Sequence, residues 1–326
     1  MTALLSSSLV KSINGDAGNN ELYGTDDSDS ILGFDGNDTL VAGPGLDTLD
    51  GGAGDDQFYS RTTNMAATFD DGANRVIGGA GDDLFFGGLG NDSASGDDGH
   101  DTLQGEAGAD QLSGGSGNDL LFGAEGRDSL DGGTGNDTID GGADDDRIEG
   151  GADHDSLIGG AGNDHLDGQD GNDTLIAGTG LDTLIGGAGN DRLYSRTQSD
   201  TGDDGANSVD GGSGDDLFVG GLGDDTAVGG TGNDTLQGEA GADQLSGESG
   251  NDLLFGDGGR DSLDGGTGDD TVNGGEDDDR IEGGAGLDSL IGGAGNDHLD
   301  GHDGDDTLIA STGLDTLYKR KPVCLI

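Results

Sequence analysis

Cysteine is almost missing from this chain of 326 residues: the one thiol, Cys324, lies two residues from the end, so no disulfide can form within a chain. Basic residues are nearly as scarce. Twelve Lys and Arg stand against 69 Asp and Glu, a net charge of −57, which excludes nucleic acid and anionic membrane as partners because both are polyanions. The matching counter-charge is a small cation. No apolar stretch approaches the roughly 20 residues of a membrane span, so no membrane insertion is expected. Met1 to Lys11 has a short apolar patch with no basic residue ahead of it and no clear cleavage site. It reads as a cap or first strand and not as a signal peptide.

What the chain has in quantity is glycine, 75 residues of it, and with so much charge the bulk composition alone would predict disorder. The spacing argues otherwise. A nine-residue beat, Gly-Gly-x-Gly-(Asn/Asp)-Asp-x-Leu-x, runs almost from end to end and is clean in Gly132 to Asp140 and Gly159 to Asp167. Numbered so that the acidic residue is position six, the beat places carboxylates at Asp29, Asp38, Asp47, Asp56, Asp83, Asp92, Asp101, Asp110, Asp119, Asp128, Asp137, Asp146, Asp155, Asp164, Asp173, Asp182 and Asp191. After an interruption the series continues at Asp216, Asp225, Asp234, Asp243, Asp252, Asp261, Asp270, Asp279, Asp288, Asp297, Asp306 and Asp315. Asn20, Asn74 and Asn207 hold the same position without charge. Position eight is apolar throughout, from Leu22 to Leu317, as a folded core requires.

Above the beat sits a longer period. Leu103 to Gly123 returns at Leu236 to Gly256, 133 residues on, with Gly115 exchanged for Glu248, so the chain reads as two copies of a unit of about fifteen repeats, with flanks. Residues 1–14 are expected as the cap or first strand and 15–194 as a first block of repeats with a degenerate repeat at 60–68. Residues 195–318 form a second block opening on an irregular loop at 195–204, and 319–326 a basic and apolar tail outside the repeat. A third copy begins near Gly304 and gives way after Leu317, which reads as a truncated reading frame or an excised fragment.

Three residues, x-Leu-x, suffice for a very short strand, and the six before them form a glycine-rich turn in which Gly supplies positive φ and Asn or Asp at position five tolerates the left-handed region. Two such units make one flattened coil of 18 residues with position eight pointing inward from both sides. One apolar side chain in nine residues is too little burial to offset the ordering of a glycine-rich backbone. Stacked position-six carboxylates would oppose the fold further unless a hard cation lay between them. Calcium fits best, since it accepts six to eight oxygen ligands in flexible geometry, whereas magnesium demands a small octahedron and zinc needs Cys or His in number. About one calcium per repeat would cancel most of the −57.

The tandem Gly-Gly-x-Gly-Asn-Asp-x-Leu-x resembles the RTX (repeats-in-toxin, hemolysin-type) calcium-binding repeat family over about nine-tenths of the chain. That resemblance implies an all-β fold, a right-handed parallel β-roll or two-sheet β-solenoid. In it the position-six Asp residues are calcium ligands, aided by turn carbonyls at residues such as Gly132, Thr134, Gly159 and Ala161. It implies type I secretion, with folding outside the cell where calcium is abundant. Sites at Asn20, Asn74 and Asn207 should be weak or empty. Asp27, Asp144, Asp153 and Asp277 replace the position-four glycine, either as extra ligands or as left-handed Asp.

Sharper chemistry competes with this reading at a few places. Paired carboxylates such as Asp55-Asp56 and Asp215-Asp216 suit a glycosidase or lyase, yet an active site should break the period and these pairs are the period. Tyr59-Ser60-Arg61-Thr62 and Tyr194-Ser195-Arg196-Thr197 read as a binding loop or as calcium-free bulges. His100, His154, His165, His298 and His302 fall at several positions of the beat and read as exposed variants, not as a shared zinc site. Ice binding would need a regular Thr rank, and position three is Thr only at Thr134, Thr179, Thr231, Thr267 and Thr312. Cys324 is third from the end, so the prenylation pattern fails.

The function expected is that of an extracellular, calcium-dependent repeat protein without catalysis of its own, a spacer, adhesive stalk or secretion-coupled folding module. The alternative is the repeat region of a larger secreted enzyme or toxin, which a catalytic domain upstream in the gene would reveal. Partners to test beyond calcium are cell-surface or matrix polysaccharide and other copies of the chain.

Overall fold

A computed structural model describes residues 10–60, 72–196 and 205–320. These residues hold thirty-three strands and no helix, and the chain divides into two compact units, Met1–Ala152 and Asp153–Ile326. In each unit successive strands alternate between two parallel sheets, so that every strand pairs with the strand after next. Leu112 lies beside Leu130 on one sheet and Leu103 beside Leu121 on the other. The coil is therefore 18 residues, and the fold is a parallel β-solenoid.

Position eight fills the space between the sheets from both sides. Leu103, Leu121 and Ile139 of one sheet and Leu112, Leu130 and Ile148 of the other are buried in the first unit, as are Leu254, Val272, Leu263 and Ile281 in the second. The flanking positions seven and nine point outward, and the two outer faces differ. One sheet carries half-buried Phe86 and Phe122 in the first unit and Ile158, Ile176, Val219, Phe255 and Ile291 in the second. The other carries Asp131 and Glu149, or Asp210, Asp264 and Glu282.

Most strands are longer than three residues. Thr138–Ala143 and Ser262–Thr267 are typical at six, because the Gly-Gly pair stays in register with the neighbouring coil, Gly133 beside Gly151 and Gly266 beside Gly284. The chain bends inside the pairing. Position-two Gly133 has φ of 102° and position-four Gly135 117°. At Gly135 a Cβ would lie 1.7 Å from the Gly117 carbonyl oxygen one coil away, so only glycine permits that approach. The left-handed non-glycine residues also fall at positions two and four, among them Asp97, Glu106, Asp144, Asp153 and Asp277, and not at position five. Position five has another task, described below.

The expected degenerate repeat at 60–68 lies, apart from Ser60, outside the described residues, as does most of the irregular loop at 195–204. Their surroundings are clear. The Thr48–Ala53 strand pairs with Arg75–Ala80 and the Asp47 N–H reaches Asn74, 27 residues on; the Asp182 N–H reaches Asn207, 25 residues on. Both gaps are insertions of nine and seven residues into one coil. The strands on either side of each gap pair directly, Thr48 beside Arg75 and Thr183 beside Ser208.

Candidate metal centre

Of the 29 position-six aspartates, 28 are buried and Asp315 is half-buried. Each turn delivers its carboxylate to the coil before it. The Asp83 N–H donates to Asp101 Oδ1 at 2.7 Å and Asp101 to Asp119 Oδ1 at 2.7 Å; in the second unit Asp216 donates to Asp234 and Asp234 to Asp252, both at 2.8 Å. One oxygen of each of these carboxylates is thereby used. The second oxygen is buried without a hydrogen-bond partner at Asp38, Asp56, Asp83, Asp101, Asp119 and Asp128, and at Asp173, Asp191, Asp216, Asp234, Asp252 and Asp270. A buried charged oxygen without a donor is strongly unfavourable.

The atoms beside this oxygen are themselves acceptors. A Cβ built on Gly114 would meet Asp119 Oδ2 at 2.4 Å and the Gly132 carbonyl oxygen at 2.6 Å, and on Gly247 it would meet Asp252 Oδ2 at 2.3 Å and the Gly265 carbonyl at 2.6 Å. Carboxylate and carbonyl oxygens from successive coils thus converge beside position-one glycine. Among the described residues no three His, Cys, Asp or Glu side chains gather as a metal cluster, so the donor set is one carboxylate column supplemented by backbone carbonyls. Such an all-oxygen set suits a hard divalent cation. The Thr134 carbonyl also accepts the Gly117 N–H at 2.8 Å, which leaves its second lone pair.

Electrostatics in the column follow from burial. The Asp83 carboxyl is pushed up to about 8, first by burial and then by the charges of Asp101 and Asp56, against the lowering effect of the Asp56 N–H. Asp101, Asp216, Asp252 and Asp279 rise to about 7 for the same reasons, burial first.

A second, exposed ladder runs beside the first in the opposite sense. Position-five side chains accept from the next coil: Asn136 N–H to Asn118 Oδ1 at 2.8 Å, Asn251 N–H to Asn233 Oδ1 at 2.9 Å. Two histidines read as exposed variants belong to it. His100 Nδ1 accepts the Asn118 N–H and His154 Nδ1 the Asn172 N–H, each at 2.8 Å, so both rings replace Asn or Asp as acceptors. The recurrence of Asn, Asp and His at position five was the available signal. The paired carboxylates separate in the same way: Asp55 Oδ1 accepts from Asp82 of the following coil and Asp56 Oδ1 from Asp38 of the preceding one. They face opposite neighbours, which is not the geometry of an acid–base pair.

The family model for the RTX calcium-binding nonapeptide repeat (4 copies) matches residues 12–33, 32–62, 70–94, 95–130, 122–157, 131–166, 167–201, 201–227, 219–254, 228–263, 255–290 and 282–317. Comparison with curated proteins gives no match. Among solved structures the chain is similar to the X-ray crystal structure of a hyperactive, Ca2+-dependent, β-helical antifreeze protein from an Antarctic bacterium, at 21% identity, covering 89% of this chain and 83% of that chain, with a TM-score of 0.33. Repeats of this type bind calcium, and the match runs across nearly all of the chain. From the beat of its sequence to its family match, the chain belongs to the RTX calcium-binding nonapeptide repeat family.

Proposed function

We propose that this chain is an extracellular, calcium-loaded spacer or adhesive module without catalysis of its own, in which the position-six aspartates are the ligands and folding is coupled to export. The observation that carries it is the set of buried carboxylate oxygens without hydrogen-bond partners at residues such as Asp119, Asp252 and Asp270, each beside a carbonyl oxygen of the next coil. Bound there, calcium would supply positive charge to oxygens that nothing else in the fold satisfies. Asp119, Asp234 and their equivalents hold position through the backbone N–H they accept, and position-one glycine keeps the space open. The near-identical duplication adds length and repeated surface, which suits spacing and multivalent attachment to polysaccharide or to other copies of the chain.

Far-UV circular dichroism of the full chain, with calcium and after EGTA, tests the reading: calcium should convert a disordered spectrum into a β-rich one. Magnesium at equal concentration should not. A β-rich spectrum that persists after chelation sinks it.

A further inference from the structure

One of the two position-six columns is interrupted once in each unit, and both interruptions have the same composition. Ser60 with Asn74, and Ser195 with Asn207, stand where a regular turn has glycine at position one and aspartate at position six; all four are buried. The chain passes through eleven residues between Ser60 and Gly72 and nine between Ser195 and Gly205, where a regular turn has two. The preceding coil contributes Ala42 or Ala177 at position one, both fully buried. At the two interrupted rungs themselves position one is Ser60 or Ser195, so a hydroxymethyl group stands where glycine leaves the space open elsewhere.

The chemistry of the rung changes sign. At a regular rung such as Gly265, the converging atoms are acceptors only, Asp270 Oδ2 and the Gly283 carbonyl, each 2.6 Å from the Cβ position. At the interrupted rungs a hydroxyl and a carboxamide N–H2 are donors. In the second unit Ser195 Oγ donates to Asp225 Oδ2 at 3.4 Å, across to the following coil. In the first, Ser60 Oγ and Asn74 Nδ2 are buried donors that no side chain or backbone acceptor engages. The asparagine still keeps the backbone ladder closed: Asp47 N–H reaches Asn74 Oδ1 at 3.0 Å and Asp182 N–H reaches Asn207 Oδ1 at 2.8 Å.

We propose that Ser60–Asn74 and Ser195–Asn207 are specificity determinants that exclude calcium from these two rungs, the hydroxyl and amide taking the ion's place. The inference rests on the calcium reading of the regular rungs.

Crystals of the calcium-loaded full chain, with anomalous differences collected where calcium scatters, read each rung separately. Peaks are expected at regular rungs such as those of Asp101 and Asp252, and none at ligand distance, about 2.3 to 2.6 Å, from Asn74 Oδ1 or Asn207 Oδ1. A calcium peak at either asparagine overturns the proposal and leaves the calcium reading intact; a map without peaks on any rung removes that reading and the proposal with it. The double variant Ser195→Gly, Asn207→Asp should gain one peak at residue 207. If it binds no additional ion, the two side chains are not what excludes calcium.

Discussion

At the scale of single residues, the position-six carboxylate does two things that can be separated. Its Oδ1 accepts a backbone N–H, a bond that an amide can also accept, while its Oδ2 lies buried beside a carbonyl and only a cation suits it. Asp252→Asn should therefore keep the backbone bond from Asp234 and lose an ion, lowering calcium stoichiometry by one in titration calorimetry. Gly247→Ala should be worse, since its methyl would lie 2.3 Å from Asp252 Oδ2; a variant with unchanged calcium affinity would contradict the assigned geometry. Asn251→Ala removes an exposed acceptor of the outer ladder and should leave the ion count alone. The sequence showed which residue types recur at positions six and eight, because a period of nine makes each copy a repeat measurement. It did not show why position five is polar. A partner one coil away is invisible to local turn propensity, so left-handed backbone was the nearest explanation, and the structure places that backbone at positions two and four.

At the scale of the coil, 18 residues are the unit of pairing and nine are not. Removing one whole coil, residues 229–246, should leave every strand opposite an equivalent one, with a calcium midpoint in circular dichroism close to that of the parent. Deleting only 229–237 would carry each later strand to the other sheet, exchange the Phe255 and Asp264 faces, and shift the midpoint to higher calcium. Equal behaviour of the two deletions would refute the register. Within a coil, Leu254→Ala opens a cavity in a core only one side chain deep and should cost about 2 to 5 kcal/mol by denaturant unfolding in calcium. The coil length and the inward position eight were legible from the beat. The direct pairing of Thr48 with Arg75 across the first gap was not, because nine extra residues preserve the phase of the sequence.

For the whole molecule the controlling quantity is charge. With a net charge of −57, the chain without calcium meets both like-charge repulsion and the burial of its aspartates. Because folded-state values near 7 to 8 at Asp83, Asp101 and Asp252 lie above the unfolded value of 3.8, the folded state binds more protons than the unfolded one between these limits. Their contribution to stability is present below the unfolded value and is lost as pH rises through the folded one. In EGTA, β-structure should therefore increase as pH falls from 8 to 5, followed by circular dichroism. In calcium the same carboxyl groups must lose protons to take up ions, so calorimetry in buffers of different ionisation enthalpy should report proton release on binding. A metal-free chain that gains structure as pH rises would reverse the assigned sign.

The opposed directions of the two ladders give every coil a front and a back. Position-six amides point towards the coil that follows, and among the described residues the first two position-six side chains, Asn20 and Asp29, accept from their own turns instead. There Asn20 Oδ1 is already taken by the Asp16 N–H at 2.7 Å, and Asp29 Oδ2 by the Thr25 N–H at 2.6 Å and the Thr25 hydroxyl at 2.8 Å. Asp29 Oδ1, the oxygen that its counterparts offer to the coil before, stays buried without a donor, so a neighbouring copy arriving with its own outgoing amides would find one acceptor taken at Asn20 and one still unmet at Asp29, a partial brake on a strongly repetitive strand stack running on from one copy to the next as a fibre.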